Sequence, residues 1–228
     1  MPGGDNRRQA KINAWEPLKT STNEGELSLK KSRAFLIIRE NKSWIALAAI
    51  FFFLGIVAAF LPITDSIIPA AVFSESQQEI LEEISELIFT SPAIMGISII
   101  FINNLLTSLY VVFFGVILGI PPLFSLFTNG VIMGVVLDSL APHGNALGFF
   151  VLGVLPHGII EIPAFFLAAA FGLKFGYHII FPMPQKSRGE GLVLIWKEFW
   201  ALFPLIVAML LLSAGIEIIL TPVLVGLS

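Results

Sequence analysis

The chain has 228 residues, 56% of them hydrophobic and 13% charged, with a formal net charge of −3. Its mean hydropathy of +0.90 lies outside the soluble globular range and predicts an integral membrane protein. The absence of cysteine excludes disulfides and thiolate metal sites.

Charge placement predicts topology. Nine of the thirteen Lys and Arg residues lie between Arg7 and Lys42, and the other four between Lys174 and Lys197. Ser43 to Leu173 contains neither residue type. Cationic segments stay on the cytoplasmic side of a membrane, so both patches are predicted to face the cytoplasm, with an even number of crossings between them.

In chain order, residues 1–25 are polar and predict a disordered cytoplasmic tail. No cleavable signal pattern is present, so the first apolar span is expected to remain as an anchor. Residues 26–43 predict a basic helix on the inner membrane face, with Lys30, Lys31, Arg33 and Arg39 toward anionic lipid. Five apolar segments are long enough to span: 44–63, 92–119, 122–140, 146–172 and 199–222. Four crossings then separate the two basic patches, and 173–198 becomes an inner loop. Residues 64–91, the turn near Pro142–Asn145 and the C-terminus fall outside.

The outer segment carries Asp65, Glu75, Glu79, Glu82, Glu83 and Glu86 without a basic residue. Ser74 and Gln77 match a capping box, and Ile80, Leu81, Ile84, Leu87 and Ile88 recur at helical spacing. An amphipathic surface helix is predicted over 74–90, its acidic face either solvated or turned to a cation or basic partner. The Pro121-Pro122 pair leaves 119–123 open to two readings, an inner turn or the tip of re-entrant half-helices. Gly115/Gly119, Gly130/Gly134, Gly144/Gly148 and Gly172/Gly176 are spaced for close helix packing. Packing inside one chain is the favoured use, and dimerisation the second.

Polar side chains in hydrocarbon are costly unless paired. Those inside the spans are Asn103, Asn104, Asn129, His157, Glu161 and Glu217. His157 lies roughly 17 Å below the start of its span at about 1.5 Å per residue, close to mid-depth. His157 and Glu161 are four apart and so share one helix face, about 40° from each other. Pro156 and Pro163 flank them, and each leaves an unpaired carbonyl one turn earlier. Three roles compete for this centre: a structural hydrogen-bond cluster, a metal or proton site, and hydrolytic catalysis. A metal would need Glu217 or an Asn beside His157 and Glu161, because two ligands are too few. No His-Glu-x-x-His, Gly-x-Ser-x-Gly or Walker motif supports catalysis, and no catalytic residue is assigned. Asp138 and His143 sit near the outer boundary and are not read as ligands.

The pattern Asn103-Asn104, Gly115 and Gly119, Asn129-Gly130 with Gly134, Pro156-His157-Gly158-x-x-Glu161, Gly172, and Glu217 ahead of Thr221-Pro222 resembles the stage II sporulation protein M family. The likeness covers roughly Ala93–Pro222, and the Pro-His-Gly-x-x-Glu run is its most specific part. The resemblance implies a polytopic helical protein of the cytoplasmic membrane with its N-terminus inside. The family's namesake anchors peptidoglycan-degrading enzymes during engulfment, whereas relatives in organisms without spores have no settled role.

The combined reading is an all-α membrane bundle of five spans with a kinked fourth helix and amphipathic surface helices. It is expected to act as a non-enzymatic anchor in the lipid bilayer that recruits extracytoplasmic or membrane proteins, with a homodimer favoured and no nucleic-acid partner. No cofactor is expected on that reading. The alternative is an intramembrane metal- or proton-dependent hydrolase or transporter holding a divalent ion at His157, Glu161 and Glu217.

Overall fold

The computed structural model describes residues 33–61, 91–140, 148 and 150–225. The tail 1–25, the start of the basic helix, the surface helix 74–90 and the turn with His143 and Gly144 lie outside the described residues. Two units divide the chain, Met1–Ile37 and Ile38–Ser228. The described part of the first, 33–37, is helical.

The described elements of the second unit are all helices, without strands. Helix α1 is Lys42–Ala59 and α2 is Ala93–Phe113, which tightens into a 3-10 turn at Phe114–Val116. Helix α3 is Ile120–Leu140. A π-helical turn at Phe150–Val154 leads into α4, Leu155–Ile180. Helix α5, Arg188–Gly215, widens into a second π turn at Ile216–Leu220 and ends in the short α6, Thr221–Val225. Five of these helical segments are long and apolar enough to cross a membrane. Large apolar side chains such as Phe53, Val57, Leu106, Phe124, Ile159 and Leu212 are exposed on their outer faces, as contact with lipid requires.

The segment between the last two spans is shorter than the loop expected over 173–198. Helix α4 runs on to Ile180 and α5 begins at Arg188, leaving only 181–187 between them. The sequence boundary was set by charge, but Lys174 and Lys197 can sit on helices because their neighbours Leu173, Phe175, Trp196 and Phe199 remain apolar. Ser187 starts α5 with a capping box: Glu190 N–H donates to the Ser187 hydroxyl, and Ser187 N–H donates to the Glu190 carboxylate at 2.8 Å.

Helix α4 is the centre of the bundle. Every residue from Ala164 to Gly176 is buried, so all its faces are covered for more than three turns. The small residues Ala168, Ala169, Ala170 and Gly172 allow this, since neighbouring backbones can approach without meeting long side chains.

The glycine pairs are seams within the chain. A Cβ on Gly130 would fall on the Phe52 carbonyl oxygen, and one on Gly134 would strike Ala59 and Ile56. Partners climb together along both helices, so α1 and α3 pack in parallel. Helices α2 and α4 do the same: a Cβ on Gly172 would fall on the Val111 carbonyl, and one on Gly176 on the Gly119 backbone. The three described glycine pairs thus form two seams inside the chain, α1–α3 and α2–α4.

The α2–α3 connection is a tight turn over 117–119. Leu118 (φ 55°) and Gly119 (φ 72°) are both left-handed, which costs a leucine on the order of 1 kcal/mol. Helices of 24 and 19 apolar residues flank this turn, about 36 and 28 Å long at 1.5 Å per residue. Those lengths suit complete crossings rather than re-entrant half-helices.

Candidate intramembrane metal centre

The two π turns bracket the polar centre. Each ends two residues before a proline, at Val154 before Pro156 and at Leu220 before Pro222. A proline cannot donate to the carbonyl four residues earlier, here Leu152 and Ile218, and both lie inside the widened turns. The i→i+5 pattern passes over the missing donor, and the Thr221 hydroxyl donates to the Ile216 carbonyl at 3.4 Å to close the second turn. Proline alone is not sufficient, since Pro163 and Pro204 sit within α4 and α5 without such a turn.

Glu217 lies inside the second π turn, and His157 follows the end of the first by three residues. One ligand atom from each of the three residues lies within 4.8 Å of the others. All three side chains are partly buried. His157 Nδ1 is enclosed and has no hydrogen-bonding partner in the protein. Asn104 and Glu161 line the same cavity.

This cavity of about 290 Å³ is one to which all five spans contribute. Its polar lining is Asn103, Asn104, Thr107 and Ser108 from α2, Asn129 from α3, and Glu161 from α4. Thr107 donates to the Asn103 carbonyl at 3.0 Å, and Asn103 Nδ2 faces Asn104 Oδ1 at 3.5 Å. Asn129 Nδ2 donates to the Ser125 carbonyl at 2.8 Å. The Ser108 hydroxyl is buried without a partner.

The six polar positions picked out in the sequence thus form two overlapping groups that share Glu161. His157, Glu161 and Glu217 converge, and the three asparagines line the adjoining cavity. Asp138 is exposed near the end of α3.

One polar cluster escaped the sequence reading. Lys174 Nζ donates to Glu198 Oε2 at 2.6 Å and to Asn41 Oδ1 at 2.7 Å, and Asn41 Nδ2 donates to the same Glu198 oxygen at 3.2 Å. Asn41 and Lys174 are 2% and 8% exposed, so the cluster lies inside the bundle. Its sequence signal was a lysine in the apolar run Phe171-Gly172-Leu173-Lys174-Phe175-Gly176 and a glutamate between Trp196 and Trp200.

Fold and centre together define a polytopic, five-span helical membrane protein with an ionisable cluster inside its bundle. The chain belongs to the stage II sporulation protein M family, whose model matches residues 21–222. It is 24% identical over 178 residues to an uncharacterized protein of Methanocaldococcus jannaschii, covering 78% of this chain and 93% of the relative. No solved structure matches it.

Proposed function

We propose that the protein binds a divalent cation inside its membrane bundle, with His157, Glu161 and Glu217 as ligands. The convergence of these three side chains from α4 and the π turn after α5 carries the reading. Two carboxylates match a charge of +2, and the imidazole favours zinc, manganese or iron over calcium. Donors held about 2.1 Å from one ion in a tetrahedral set stand about 3.4 Å apart. From the 4.8 Å limit, a contraction of up to about 1.4 Å would bring the set into range. Three protein ligands leave at least one position for water, the arrangement of open rather than structural sites.

Calorimetric titration of the detergent-solubilised protein with Mn²⁺ and Zn²⁺ tests this. A single site is expected, weakened at least about 100-fold in His157→Ala and Glu161→Gln, beyond the usual effect of losing an outer-shell partner. Absence of binding, or equal affinity in all three proteins, would reject it.

A second reading, a non-enzymatic anchor that recruits extracytoplasmic or membrane proteins, is favoured by membership of the family. Under it the same variants would change stability or assembly with no metal involved. For either reading, the charge distribution supports a cell-membrane orientation with the N-terminus cytoplasmic and the C-terminus outside.

A further inference from the structure

The cavity beside Glu161 is far larger than one ion requires. At about 30 Å³ per water, 290 Å³ accommodates on the order of ten molecules, and a polar chamber of that size is expected to be wet. The chamber is also unevenly placed. Among the described residues its lining runs from Ser108 and Asn129 past Met133 and Val136 to Val154. In the opposite direction the bundle is closed by Val111, Leu126, Phe171, Phe199 and Leu202, each 1% exposed or less. Beyond these residues lies the Lys174–Glu198–Asn41 cluster, whose ammonium opposes passage of a second cation.

We propose that this asparagine-lined chamber is the aqueous entry to the cation centre, open from the α3–α4 side of the membrane and sealed from the side of the 181–187 connection. The inference rests on the cation reading for its ligand and on the cavity alone for its sidedness. Neutral amides and hydroxyls can exchange for the hydration shell of a divalent ion without trapping it, while Glu161 at the chamber wall supplies attraction. In this conformation the protein holds or samples an ion from one compartment and does not conduct it.

The lack of native cysteine makes a thiol-accessibility test free of background. Single variants Asn103→Cys, Ser108→Cys and Asn129→Cys would be placed in sealed vesicles and exposed to membrane-impermeant methanethiosulfonates on either face. Ala168→Cys serves as the buried control, and Ser187→Cys identifies the face of the 181–187 connection. The three chamber positions are expected to react from the face opposite Ser187. A cationic reagent should react at least about 10-fold faster than an anionic one, as an acidic wall focuses cations. Mn²⁺ should slow the reaction, and Glu161→Gln should abolish that protection. Modification from the Ser187 face, or only by a lipid-soluble maleimide, would overturn the proposal. One-sided reactivity without Mn²⁺ protection would leave the entry route standing and count against the cation reading.

Discussion

Lys174 sits in the apolar interior with its ammonium 2.6 Å from Glu198 and 2.7 Å from the Asn41 side-chain oxygen. An ion pair so enclosed is poor evidence of net stabilisation, because desolvation offsets much of the attraction. Removing one member is different, since it strands a charge in low dielectric. Lys174→Met is therefore expected to lower stability by about 3 kcal/mol, and adding Glu198→Met should recover most of the loss. Chemical unfolding of the four proteins of this cycle in detergent would measure the coupling. Additive losses would show that the two side chains act separately. The sequence concealed the cluster because formal charge places a lysine in a water-facing loop, whereas its long stem lets it reach partners from within a helix. By contrast, the shared helix face of His157 and Glu161 was legible, because residues four apart on a helix lie on one side.

At the scale of elements, glycine decides which helices meet. The helix α2–α4 seam has no room for a side chain at Gly172, where a Cβ would fall on the Val111 carbonyl. Gly189, in the first turn of α5, has open space around it. Gly172→Ala should thus cost at least about 2 kcal/mol through forced separation of two backbones. Gly189→Ala should be neutral, or stabilise by up to about 1 kcal/mol through helix propensity. Thermal unfolding in detergent compares the two directly, and equal effects would contradict the seam. The five apolar stretches were readable from length and hydropathy, with ends misplaced where charge was taken as a boundary. The pairing of α1 with α3 and α2 with α4 was not readable. Spans that are apolar on every side carry little directional pattern, and glycine spacing marks a seam without naming its partner. The π turns were equally hidden, since four prolines lie in α4, α5 and α6 and only two follow such a turn.

The described helices of the second unit are organised along one axis. A polar, spacious half contains the His157–Glu161–Glu217 centre and its chamber, and a tightly packed half is closed by aromatic side chains and the Lys174 cluster. Trp44, Tyr177, Trp196 and Trp200 gather at this second end, where amphipathic rings suit the membrane–water boundary. A bound cation would offset the charge of carboxylates that otherwise face each other in a medium that penalises it. Elemental analysis of the protein purified without chelator, beside Glu161→Gln and Glu217→Gln, addresses this most directly. The account predicts about one transition-metal ion per chain in the native protein and a small fraction of that in each variant. A correctly folded native protein that is metal-free and fails to take up added Mn²⁺ or Zn²⁺ would contradict it.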